Sequence, residues 1–123
     1  MEKKILIVDD DSKICTLLEK FLIKKGFYPI TATNGEGALE KVEKENPTIV
    51  LLDIKMPGMD GITVLKKIKE INEHMAVIMI TGVKDESIAK EAMELGAYDY
   101  ITKPFDLNYL EMSLLTKILL LTA

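Results

Sequence analysis

Short apolar runs alternate five times with helix-period stripes along the chain. The first run, Lys4–Val8 (KILIV), leads to apolar positions at Ile14, Leu17, Leu18, Phe21 and Leu22, which predict one buried helical stripe. Asp11 or Ser12 stands where an N-cap belongs, and Gly26 where that helix stops. The second run, about Tyr28–Ala32, is weaker and suits a sheet edge. Asn34 caps a second helix with Ala38, Leu39 and Val42 on its stripe, and Pro47 closes the connection. The spacing predicts a third strand over Thr48–Asp53 (TIVLLD), then the loop IKMPGMDG and a helix carrying Ile62, Leu65 and Ile68. Asp60 and Gly61 read as the turn and cap before that helix. A fourth strand is expected over Ala76–Thr81, a helix over about Glu86–Leu95 ending at Gly96, and a fifth strand over Tyr98–Thr102. Asp106 caps the last helix.

Five strand–helix units in a row predict a doubly wound α/β sandwich with a parallel sheet and right-handed crossovers. Strands 1, 3 and 4 are continuous apolar runs, as strands covered on both faces must be. Ligand chemistry in such a sheet belongs at the carboxyl ends of the strands.

Composition narrows the class. The chain has 123 residues, 48% hydrophobic and 29% charged, with net charge −4, which fits one globular domain spanning residues 1–123. Every basic residue is Lys, and the pairs at 3–4, 24–25 and 66–67 are scattered, which argues against a nucleic-acid surface. One cysteine, Cys15, excludes an internal disulfide and sits at helical spacing with Leu18 and Leu22, as a small core residue would. No apolar run approaches the ~18 residues of a membrane span. The opening MEKKILIVDD has too few apolar residues before its acids for a signal peptide. A reducing cytoplasm is the expected setting. His74 falls in a loop between helix 3 and strand 4, with a surface role expected.

The polar residues at the strand ends carry the chemistry. Strand 1 delivers Asp9 and Asp10, strand 3 delivers Asp53, strand 4 delivers Thr81, and Lys103 follows strand 5. Asp11 reads as a helix cap. Two carboxylates ~4 Å apart repel by ~4 kcal/mol at an effective dielectric of ~20. Lys103 supplies one positive charge, too little for three carboxylates. Oxygen donors with no nearby His or Cys point to a hard ion, Mg2+ or Mn2+. Carboxylate, divalent ion, lysine and hydroxyl are the parts of a phosphoryl-transfer site.

Four stretches, ILIVDDD, LLDIKMPGMDG, MITG and YITKPF, together resemble the receiver domain of two-component response regulators over essentially the whole chain. Single-domain chemotaxis and sporulation phosphorelay members are the nearest in character. The resemblance implies a CheY-like sheet of order 2-1-3-4-5. It implies a phosphoacceptor signalling domain rather than an enzyme, with autocatalytic phosphotransfer and autodephosphorylation. Asp53 would be the phosphoacceptor. Asp9, Asp10, Asp53 and the backbone carbonyl of Lys55 would hold Mg2+. Thr81 and Lys103 would contact the phosphoryl group, Lys103–Pro104 would be a cis peptide, and Tyr100 would be the aromatic switch. Gly82 is small, as phosphoryl access requires. Val83 and Lys55 occupy the positions that tune hydrolysis, and an apolar Val83 implies slow loss of the phosphoryl group. The implied partners are a sensor histidine kinase or histidine phosphotransfer protein, and a downstream protein on the helix 4–strand 5–helix 5 face.

Helix 5 is expected to bury Leu107, Leu110, Leu114, Ile118 and Leu121 and to carry a second apolar strip of Tyr109, Met112, Leu119 and Leu120. That strip suits a homodimer, a partner or the start of a linker helix; a frayed tail is the bland alternative. The lack of an output domain after it suggests a stand-alone receiver, with a fragment of a longer DNA-binding regulator as the alternative. A different class also fits part of the sequence. DDDS at Asp9–Ser12 matches the opening of haloacid-dehalogenase-type phosphatases, with Asp9 as nucleophile and Asp11 as acid. That reading leaves Asp53 and the KMPGMDG loop unexplained and finds no acidic pair after strand 4. A flavodoxin lacks its phosphate loop here, and no P-loop motif occurs.

Overall fold

Alternating side-chain direction along each strand splits the core into two apolar layers, one on each face of a single sheet. The computed structural model describes residues 3–122. Its elements run β1 (Lys4–Val8), α1 (Ser12–Lys24), β2 (Tyr28–Ala32), α2 (Gly35–Glu45), β3 (Ile49–Leu52), α3 (Gly61–Ile71), β4 (Ala76–Thr81), α4 (Glu86–Glu94), β5 (Asp99–Thr102) and α5 (Leu107–Thr122). All strand pairs are parallel and the order is β2-β1-β3-β4-β5. The weak second strand is an edge, as its sequence indicated. The third and fifth strands are shorter than the apolar runs suggest, and α4 stops one residue earlier.

Ile5, Ile7, Ile49, Leu51, Ile78 and Ile80 pack against α1 and α5 through Cys15, Leu18, Leu22, Leu110 and Leu114. Leu6, Val8, Val50, Leu52, Val77 and Met79 face α2, α3 and α4. Two members of the expected helical stripes are not core residues. Leu17 is 45% exposed, because the buried side of α1 centres on Cys15, Leu18 and Leu22. Leu121 is 46% exposed, because it borders an open hollow with Lys69, Met75 and Ala76 instead of joining the core. Leu115, which the stripe left out, is also exposed, alongside Tyr109, Met112, Leu119 and Leu120. Among the described residues, no helix is long and apolar enough to cross a membrane.

The helix starts are set by short polar side chains. Asp11 accepts from the Lys13 amide at 2.9 Å, Asn34 from Gly37 at 2.7 Å, and Asp60 from Thr63 at 2.9 Å. Asp85 caps α4 by accepting from Ser87 at 2.8 Å, and Asp106 caps α5 by accepting from Asn108 at 2.8 Å. Gly26 and Gly96 follow α1 and α4 with φ of +89° and +103°, a backbone region that other residues enter at a cost.

Gly61 has a different reason to be glycine. Its amide donates to the Ile54 carbonyl at 2.8 Å, and a Cβ there would overlap the backbone carbonyl of Asp53. The N-terminus of α3 thus lies directly on Asp53, the residue that follows β3. Gly61→Ala is expected to lower unfolding free energy by about 1–3 kcal/mol in urea titrations. Asp60→Ala should cost about 1 kcal/mol, the value of an N-cap, without moving neighbouring backbone.

Candidate functional site

Strand alternation carries the charged residues to one place. Asp9 continues the parity of Ile5 and Ile7, Asp53 that of Ile49 and Leu51, and Lys103 that of Ile101. All three therefore leave the carboxyl edge on the α1/α5 side. The Lys103 Nζ donates to Asp9 Oδ2 at 2.8 Å and to Asp53 Oδ2 at 3.1 Å. Asp9 and Asp53 are buried, while Asp10 is exposed at the rim. One carboxylate oxygen from each of Asp9, Asp10 and Asp53 lies within 4.8 Å of the others.

The two buried carboxylates are held by backbone as well. Asp9 Oδ1 accepts from the Asp11 amide at 2.9 Å, and Asp53 Oδ1 accepts from the Ile54 amide at 2.7 Å. The Asp53 amide itself donates to the Val8 carbonyl at 3.0 Å, which extends the β1–β3 ladder to the site. Cys15 donates its thiol to the Asp9 carbonyl at 3.3 Å, and burial pushes that thiol's pKa up. This is a packing role and not a reactive thiolate.

Burial raises the Asp9 pKa, against the pull of the Lys103 ammonium and the Asp11 amide. Burial also opposes the charge on Lys103, but its hydrogen bonds to Asp9 and Asp53 and their fields outweigh this, so its pKa rises. Lys103 is thus locked in its charged form at neutral pH.

Thr81 and Tyr100 have the opposite parity, that of Val77 and Met79, and belong to the α4 side. Thr81 is fully buried, and its hydroxyl accepts from the Val83 amide at 3.3 Å. Tyr100 is half-buried, and its hydroxyl donates to the Val83 carbonyl at 2.7 Å. Burial raises the Tyr100 pKa, so it remains a donor. The Lys103–Pro104 peptide is cis. Lys55 is exposed in the β3–α3 loop. A side chain at Gly82 would meet no atom within 4 Å, so neither packing nor backbone angle demands glycine there; its smallness leaves space open beside Thr81. His74 is exposed on the opposite edge of the sheet.

The donor set fits a hard divalent cation: three carboxylates within reach of one another, and one lysine charge against them. Asp11 spends its carboxylate on the α1 cap and is exposed, which removes it from the pocket. Sequence reasoning missed Asp99, whose carboxylate gathers three donors described below. The only signal for it was an acid between two tyrosines in a strand.

The geometry is that of a signalling receiver, and a family model for the response regulator receiver domain matches residues 5–115. The chain belongs to that family. It is 46% identical over 108 residues to sporulation initiation phosphotransferase F of Bacillus subtilis, covering 88% of this chain and 87% of that one. It is 42% identical to chemotaxis protein CheY of the same organism, covering 85% and 88%. It spans only 44% of the alkaline phosphatase synthesis regulator PhoP, at 46% identity over 85% of this chain. Among solved structures, a CheY-like receiver from Methanospirillum hungatei superposes with a TM-score of 0.91 at 32% identity, covering 95% and 94% of the two chains. The CheX–CheY–BeF3–Mg complex from Borrelia burgdorferi matches with a TM-score of 0.88 at 37% identity, covering 93% and 87%. Family membership displaces the phosphatase alternative built on Asp9 and Asp11.

Lys103→Met should expose the repulsion it suppresses. Losing one partner of a fully buried pair costs about 3–5 kcal/mol, and the partial exposure of Lys103 scales this to roughly 1–3 kcal/mol in metal-free urea unfolding at pH 7. The raised Asp9 pKa gives the sign with pH. The folded state holds that proton more tightly, so stability grows as pH falls through the folded pKa towards the usual carboxylate range. The variant should therefore recover stability on acidification more than the parent does.

Proposed function

We propose that this receiver accepts a phosphoryl group on Asp53 from the phosphohistidine of a sensor kinase or histidine phosphotransfer protein. The observation that carries the reading is the Lys103 ammonium bridging Asp9 and Asp53 beside Asp10. A carboxylate oxygen of Asp53 attacks phosphorus, the donor's N–P bond breaks, and the imidazole leaves. Asp9, Asp10, Asp53 and the Lys55 carbonyl would hold Mg2+, or Mn2+, which would neutralise charge on the transferring oxygens. Lys103 pairs with the new phosphoryl oxygens. The Thr81 hydroxyl accepts from Val83 and offers its own hydrogen to the phosphoryl group.

Phosphorylation adds about −1.5 to −2 charges. Moving a two-state equilibrium from 1:99 to 99:1 takes ~5.5 kcal/mol. Two charge-assisted hydrogen bonds, to Thr81 and Lys103, contribute ~1.5–3 kcal/mol each and approach that shift. Tyr100 and the β4–α4 loop then report the change on the α4–β5–α5 face to a downstream protein or a second copy through α5. A single receiver domain over residues 1–123 in a cytoplasmic setting belongs to the same proposal.

An apolar hollow beside Lys103, about 460 Å3 and lined by Ile14, Leu17, Pro104, Phe105 and Leu107, supports docking of the donor protein. It explains why Leu17 is exposed: its neighbours across the hollow belong to the β5–α5 connection.

Asp53→Asn should abolish acid-stable, base-labile labelling by a histidine kinase, as should chelation of divalent ions. Label on that variant would reassign the acceptor. On the parent, the label should decay over minutes and not seconds, because Val83 offers no group to orient water. Leu17→Glu should slow transfer from a protein donor about tenfold while leaving labelling by a small acyl phosphate unchanged. Stopped-flow transfer assays with both donors separate docking from chemistry.

A further inference from the structure

Tyr98, Asp99 and Tyr100 are consecutive, and each holds a different part of the molecule. The Tyr100 hydroxyl holds the Val83 carbonyl at 2.7 Å, in the loop just after Thr81. Asp99 Oδ1 accepts from the Tyr100 amide at 2.8 Å. Asp99 Oδ2 accepts from the Ser113 hydroxyl at 2.8 Å and from the Tyr109 hydroxyl at 3.1 Å. Tyr109 and Ser113 lie one turn apart on α5 and so present both hydroxyls to the same carboxylate. The Tyr98 ring lies under the Lys117 ammonium, 4.9 Å from ring centroid to Nζ, on the next turn of α5.

These bonds form an unbroken series. It runs from the Thr81 hydroxyl through Val83 and the Tyr100 ring and backbone to Asp99, and ends on two residues of α5. Ser113 is buried at the helix–strand seam, whereas Tyr109 is 51% exposed and stands one turn from Met112, which is 67% exposed. The end of the series is therefore the margin of the apolar strip that α5 shows to solvent.

We propose that Asp99 is a positioning residue that ties α5 to the Thr81–Tyr100 switch, so that occupancy of the Asp53 pocket resets the pose of Tyr109 and its apolar neighbours on α5. The inference rests on the phosphoacceptor reading above. A carboxylate suits the post because it accepts from several donors at once, with one oxygen facing β5 and the other α5. When Tyr100 shifts with the Val83 carbonyl, its amide and the Asp99 carboxylate shift together. The two α5 hydroxyls must then follow or let go. Either response changes the face that a partner meets.

The test compares the full chain with the double variant Tyr109→Phe/Ser113→Ala, which removes both α5 donors and leaves Asp99 and Tyr100 intact. Asp99→Ala serves as the second variant. Amide spectra are recorded with and without beryllofluoride and Mg2+, and the difference is taken within each protein, so that a purely structural effect on the resting spectrum cancels. Amide exchange of α5 verifies that the helix still forms. In the parent, added beryllofluoride should move the amides of residues 81–83, Tyr100 and 107–116. In both variants the first two groups should move as before, while the α5 shifts fall at least about twofold. Undiminished α5 shifts in the variants, or a parent whose α5 does not respond while residues 81–83 do, would overturn the role of Asp99. A parent with no response at residues 81–83 would overturn the phosphoacceptor reading instead.

Discussion

Two buried carboxylates on neighbouring strands are tolerable only because one ammonium lies between them. Lys103 reaches Asp9 and Asp53 within hydrogen-bond distance, and both acids are otherwise almost shut off from water. Without that cation, adjacent strands β1 and β3 would run into mutual repulsion at their buried carboxyl ends. The site is accordingly strained towards taking up positive charge, and the exposed Asp10 at its rim adds to the demand.

The two-residue repeat of the strands sorts the machinery. Residues of one parity, Asp9, Asp53 and Lys103, form the charged pocket over the α1/α5 layer. Residues of the other parity, Thr81 and Tyr100, face the α4 layer, and both bind the backbone of Val83, one at its N–H and the other at its carbonyl. The charged groups thus lie on one side of the sheet edge and the bonds to Val83 on the other. They meet because all five residues occur at or near the carboxyl ends of adjacent strands.

Much of this was legible in the chain. Continuous apolar runs marked the central strands, the weak run marked an edge, and short polar residues marked the helix starts, because each depends on local periodicity or capping. The pocket was legible for the same reason: Asp9, Asp53, Thr81 and Lys103 all terminate or follow strands whose direction is fixed by the fold. What escaped was decided by tertiary fit. Leu17 and Leu121 sit on good helical stripes, yet one borders a hollow formed by the distant Pro104 and Phe105, and the other a hollow formed by the distant Lys69, Met75 and Ala76. Asp99 looked like an ordinary strand acid because its partners come from α5, ten and fourteen positions later. The need for glycine at 61 shows only when α3 is laid against the end of β3.

That contact at Gly61 separates two things that could have been coupled. The amide of Gly61 is bonded to Ile54, so the segment from Lys55 to Asp60 is a loop whose two ends are fastened to each other beside Asp53. Its exposed residues Lys55 and Pro57 can change in size and charge without shifting the carboxylate beside them, whereas Gly58, at φ +78°, is held to glycine by its backbone. The rim of the pocket can thus vary while Asp53 stays in register. A lineage could rewire its signalling there by point substitutions without rebuilding the chemistry.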